Sequence, residues 1–277
     1  MPFTPSHAVI ALPFIRTPLV PAAIAVGAMT PDLPLFLRGI GLPYSFTHDL
    51  GAVPVTAAVA LMLFLIWRVV MRPAVGELVP LGVARRLPEE WSTSGRAAAA
   101  SAVGAGSGRR LYPVWLGASL ILGVVSHIAW DLYTHEGRWG VDAFPVLDEM
   151  WGPLSGYKWL QHGSSIIGLL VIGVWALLRL RGAEPRAVVV RSVPVGVRVA
   201  WWVSLPAMLV AASIIGYVAF GPFSDEFTVQ HLAYRVLPSA CALWGLLTIG
   251  LCLAMPLFRR TGAVTRPADP IPTAEAR

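Results

Sequence analysis

The sequence predicts an all-α fold: a polytopic membrane helix bundle of about five transmembrane helices, preceded by short interfacial or re-entrant N-terminal helices. Three observations carry this. Hydrophobic residues fill 56% of the 277 positions and charged residues only 13%, whereas a soluble globular chain carries about 25% charge. Mean hydropathy is +0.67. Five stretches approach the roughly 20 apolar residues that a bilayer crossing needs. The same composition excludes a disordered chain, a collagen-like chain and a disulfide scaffold; Cys241 and Cys252 lie in one apolar stretch.

The first fifty residues are apolar but broken by Pro2, Pro5, Pro13, Pro18 and Pro21, and they carry Arg16 and Arg38. Neither a continuous span nor a cleavable signal peptide fits there. Short helices in the interface, or packed re-entrantly against the bundle, fit better. The spans then read as 51–70, 111–130, 163–180, 200–220 and 236–258. The Ala-, Gly-, Ser- and Arg-rich stretch 71–110 reads as a poorly ordered linker, and 261–277 as a disordered tail. The chain divides into a metal-site membrane domain at 1–180, two further transmembrane helices at 181–260, and the tail.

Charge placement orients the bundle. Residues 68–110 hold seven Arg and three acids, 179–198 five Arg and one acid, and the segment from 259 four Arg and two acids. These alternating segments contain 16 of the 21 basic residues. By the positive-inside rule that side is cytoplasmic, which predicts an N-terminus outside, a C-terminus inside, and an inner-membrane protein. The net charge of +6 is then a topology signal rather than a sign of nucleic-acid binding.

All six histidines (His7, His48, His127, His135, His162 and His231) fall on the opposite side, together with Asp32, Asp49 and Asp131. Ionisable groups near membrane depth are costly and usually functional. Imidazole and carboxylate together suit a divalent transition ion. The sharpest feature is Ser126-His127-x-x-x-Asp131-x-x-Thr134-His135: the i, i+4 spacing stacks His127 and Asp131 on one helix face, with His135 a further four residues on. Asp32 stands between Pro31 and Pro34, where a helix cap or turn also accounts for it. Thr47-His48-Asp49 reads as a helix entry, with Thr47 as N-cap and Asp49 in the first turn. In Thr4-Pro5-Ser6-His7, Thr4 or Ser6 reads as a cap for a short helix. His162 and His231 also read as ordinary interfacial residues.

These segments together, TPSH at 4–7, Pro31-Asp32, Thr47-His48 and Ser126-His127-x-x-x-Asp131, resemble an uncharacterised bacterial and actinobacterial membrane family whose members begin with a TPSH-type segment. They are also similar to inner-membrane metal-dependent hydrolases and, distantly, to the zinc-dependent phospholipase C and single-strand nuclease class. The resemblance spans about residues 1–167. It implies His7, Asp32, His48, His127 and Asp131 as ligands of one or two divalent ions, zinc by preference, with Asp49 or His135 as orienter or general base. The soluble class ends in His-x-x-x-Glu, whereas here Ile166 stands four residues after His162, so either a ligand is missing or His162 is not a ligand. The expectation is a metal-dependent hydrolase acting on phospholipid or another lipid-linked ester at the extracytoplasmic face. The alternative is a non-catalytic metal-binding, structural or transport protein of the membrane.

Overall fold

The computed structural model describes residues 3–39, 41–105 and 108–264. Five helices are long and apolar enough to cross a membrane: Leu50–Leu78, Tyr112–Thr134, Gly156–Arg181, Val195–Phe220 and Val229–Phe258. The chain is therefore an all-α, multi-pass membrane bundle. Among the described residues its strands are confined to a short hairpin, Met150–Trp151 against Leu154–Ser155.

Three boundaries differ most from the sequence reading. The third and fifth spans begin earlier, because polar residues such as Lys158, Gln161 and His231 lower hydropathy without interrupting helical hydrogen bonding. The first span runs on to Leu78 through a π turn at Trp67–Met71. Pro73 follows in the first turn of the next segment; its ring cannot sit over an ordinary i−4 carbonyl, and a wider turn ahead of it relieves the clash. The stretch 71–110, expected to be a poorly ordered linker, is mostly helical, with Arg72–Leu78, Leu81–Ala84, Glu89–Ser92 and Gly95–Ala102 in short helices. Its Ala run is a good helix former, and Ala98 and Ala102, one turn apart, are fully buried. Of the expected tail, 261–264 continue the last helix and 265–277 lie outside the described residues.

The Arg-rich segments meet at one end of the bundle. Glu77, at the end of the first span, accepts hydrogen bonds from Ser192 N (2.9 Å), Ser192 Oγ (2.9 Å) and Val193 N (3.2 Å) in the loop before the fourth span. Arg191 donates to the Val79 carbonyl at 2.6 Å, and Trp202 Nε1 to Leu78 O at 2.9 Å.

The N-terminal arm is a hairpin inserted beside the second and third spans. A 3₁₀ segment, Thr4–Phe14, leads to a turn, and the helix Pro21–Met29 returns. Val20 N donates to Ser119 Oγ at 2.8 Å, and the arm climbs alongside the second span until Asp32 stands beside His127. The twelve residues from Ser119 to Asp131 rise about 18 Å, which is the depth the hairpin reaches below the cluster. Glycines permit this docking. A Cβ on Gly27 would lie 2.5 Å from the Leu120 carbonyl oxygen, and one on Gly123 would lie 2.7 Å from Ala28 N. Small residues let the two backbones touch, as membrane helices require in the absence of a strong solvophobic drive.

Candidate metal centre

Three elements deliver the polar groups. The second span ends with His127 and Asp131 on its inward face. The arm supplies His7 and, at the turn after Met29, Asp32. The one-turn helix Tyr44–Thr47 supplies His48. Their exposures are 1% for His127 and Asp32, 3% for Asp131, 6% for His48 and 8% for His7. Residues this polar are seldom so buried unless paired or ligated.

The imidazoles are fixed by backbone. His48 Nδ1 lies 2.9 Å from the Tyr44 carbonyl and His127 Nδ1 2.7 Å from the Ala28 carbonyl. A carbonyl only accepts, so each Nδ1 carries the hydrogen and each ring turns its Nε2 inward, a lone pair wherever the ring is neutral. The two Nε2 atoms face each other at 3.2 Å, where two such lone pairs would have nothing to share unless a proton or a cation came between them. Asp131 Oδ2 lies 3.4 Å from both, and Asp32 Oδ1 lies 3.6 Å from His127 Nε2 and 3.9 Å from His48 Nε2. A tetrahedral ion with bonds of about 2.0–2.1 Å sets its ligands about 3.3 Å apart. The separations bracket that edge.

The unsatisfied atoms support the same reading. Asp32 Oδ1, Asp131 Oδ1 and His7 Nε2 are buried without a hydrogen-bond partner. Each would cost about 1–3 kcal/mol if left so. Two triads of potential ligands, His7/His127/Asp131 and Asp32/His48/His127, each have their donor atoms within 4.8 Å of one another. His127 belongs to both, yet with Nδ1 bonded to Ala28 it has one nitrogen to give. The donor set therefore fits one ion better than two full sites.

Neighbours hold the carboxylates and rings in place. Thr4 Oγ1 donates to Asp32 Oδ2 at 2.6 Å, which also closes the hairpin. Tyr44 OH donates to Asp131 Oδ2 at 3.3 Å. Thr47 Oγ1 lies 2.7 Å from the Pro31 carbonyl, tying the His48 helix to the Asp32 turn. The His7 ring lies over His127, centroids 4.1 Å apart. Burial, with the His127 ring adding to it, pushes the His7 imidazole down to about 3, which keeps that ring neutral. Burial also pushes the Asp32 carboxyl up. Burial and then the Asp131 charge push Tyr44 well above the ordinary phenol range, which keeps it a donor. Burial thus disfavours the charged Asp32 carboxylate, and a divalent ion is the group that would offset this.

His7, Asp32, His48, His127 and Asp131 thus converge. The other sequence candidates do not all join them. Asp49 is exposed, and its Oδ1 accepts from Gly51 N at 2.6 Å. It caps the turn into the first span. His135 stands beside Asp131, Nδ1 to Oδ2 3.6 Å, with Gln161 Nε2 3.4 Å from its Nε2. That is an orienting position. His162 and His231 are exposed. Thr47 is a strut instead of an N-cap, and Thr4 holds Asp32 instead of capping a helix. Sequence reasoning missed Tyr44 and Gln161. The Tyr44–His48 spacing of four residues was the available signal.

Neither curated proteins nor solved structures give a match to the chain. One family model does match, over residues 1–254, which takes in the arm, the whole His/Asp cluster and nearly all of the fifth span; the chain belongs to that family, described as Domain of unknown function (DUF4184).

Proposed function

We propose that the protein is a membrane-embedded, metal-dependent hydrolase of phospholipid or another lipid-linked ester. The observation that carries this is the pair of opposed Nε2 atoms at 3.2 Å, each aimed by a backbone carbonyl, with two carboxylates at ligand-edge distance. His48, His127, Asp32 and Asp131 would hold the ion, with His7 as a further donor. Mixed imidazole and carboxylate ligation favours zinc over magnesium or calcium. Such an ion lowers the pKa of a water to about 7 and polarises a phosphoryl or acyl oxygen. In the hydrolysis, water oxygen adds to phosphorus or acyl carbon and the bond to the leaving alcohol oxygen breaks. A water proton passes to the unpartnered Asp131 Oδ1 and on to the alcohol. His135 and Tyr44 hold Asp131 in position for this.

The site lies at the end away from the Arg-rich loops, which supports an extracytoplasmic active site in an inner membrane, with N-terminus outside and C-terminus inside. Arg16 is exposed in the turn of the hairpin, and a guanidinium there can snorkel toward the headgroups. A second reading, a closed structural metal site, is favoured by the near-complete burial of the ligands, since structural sites leave no open position. The deciding experiment is release of headgroup or fatty acid from mixed-lipid vesicles by purified protein loaded with zinc, against protein stripped by chelator. Zinc-dependent release supports the hydrolase. Stoichiometric zinc with no release from any lipid class supports the structural reading.

A further inference from the structure

Next to the cluster lies a cavity of about 540 Å³ that shares His7 with the ligand set, within the roughly 300–1,000 Å³ range of small-molecule sites. Ser6, His7 and Ile10 of the arm form its floor, Ser126 and Trp130 of the second span one wall, and the third span from Trp159 to Gly168 the other. The lining is mostly apolar, broken by Ser6, Ser126 and Ser164, and His7 joins it to the cluster. Trp130 Nε1 donates to Ser164 Oγ at 3.2 Å, bridging the two spans. The far end is shut by close packing: a Cβ on Gly168 would lie 3.0 Å from Ser6 O. Gly163, in the middle, has nothing within 4 Å of where a Cβ would stand. The groove is therefore open at Gly163, where the third span presents no side chain.

Depth identifies the occupant. Trp159 to Gly168 rises about 14 Å along the helix, close to one leaflet, half of the roughly 30 Å hydrocarbon core. The third span is scarcely covered by protein, and Ile166 and Ile167 on it are exposed, so the groove borders lipid. We propose that this groove seats one hydrocarbon chain of a bilayer lipid from the adjacent leaflet, alongside the cluster that His7 joins to it. This rests on the hydrolase reading for what happens to the head, but not for the seat itself.

The test uses the full-length protein in vesicles and the variant Gly163→Leu, whose side chain enters open space and whose helix propensity exceeds that of glycine. The first readout is photo-crosslinking by a phospholipid with a diazirine in its acyl chain. Label is expected on 159–168 and on the arm, falling about tenfold or more in G163L, the scale of a blocked apolar pocket, with metal content unchanged. The second is hydrolysis of that lipid against a short-chain, water-soluble ester with the same head: G163L should lose the first and keep the second. Crosslinking indifferent to G163L overturns the groove, whatever the hydrolysis result. Crosslinking that responds, in a protein that hydrolyses neither substrate, upholds the groove and removes the hydrolase reading alone.

Discussion

The second and fourth spans make an instructive pair. The second has the lowest mean hydropathy of the five, 1.5, and the largest buried share, 39%; the fourth has a hydropathy of 2.0 and is 6% buried. In a soluble protein the more apolar helix would be the buried one. Here lipid accepts apolar side chains as readily as protein does, so burial goes to the helix that must hide polar groups. Ser119, His127, Asp131 and Thr134 all lie on its covered face. The fourth span buries only Gly216, and its polar contacts are with its neighbours, such as Trp244 Nε1 donating to Ser204 Oγ at 3.0 Å. The arm, folded against the second span, creates the environment that the fourth span lacks.

That contrast breaks most completely at the ligands. His127→Ala or Asp32→Ala should reduce bound zinc in purified protein from one ion per chain to background, read by elemental analysis, and abolish any zinc-dependent hydrolysis. The equivalent loss for His162→Ala or His231→Ala should be nil. Next is the docking of the arm. Gly123→Leu forces a side chain into the Gly27–Ala28 backbone, and overpacking of this kind costs about 1–3 kcal/mol. Zinc should be lost although no ligand is altered, and the arm should become open to protease. Gly216→Leu, against side chains of the fifth span, should lower the melting temperature and leave zinc in place.

A smaller effect is expected at the strut of Asp32. Thr4→Val removes its hydrogen bond and should weaken zinc about 10–100-fold in a chelator competition, the usual consequence of losing a ligand's orienting partner. Smallest is Asp49→Ala, which should lower stability by about 0.5–2 kcal/mol as a lost cap while zinc affinity and turnover stay unchanged. An Asp49→Ala protein that folds and binds zinc but is catalytically dead would restore Asp49 to the mechanism.

The spans and the His/Asp inventory were legible because hydropathy, charge segregation and the His127–Asp131 spacing are local patterns. The convergence of Asp32 and His48 on His127 was legible only as a resemblance: their meeting depends on Gly27 and Gly123 letting two backbones touch, and no periodicity records a contact between residues about a hundred positions apart. The placement of Asp49 was hidden for a related reason. A carboxylate next to a histidine looks like a site, but the turn at 48–49 sends the His48 ring inward and the Asp49 side chain out to the Gly51 amide. The stretch 71–110 looked unstructured by composition, yet alanines spaced by one turn are also what a small helix needs to lie flat against a bundle.

The most direct test is X-ray absorption at the zinc edge on the purified full-length chain. The account predicts one zinc per chain with two to three imidazoles and carboxylate oxygens at about 2.0–2.2 Å, and one imidazole fewer in His48→Ala. A spectrum with no imidazole scattering, or one unchanged when His48 and His127 are both replaced, would contradict it.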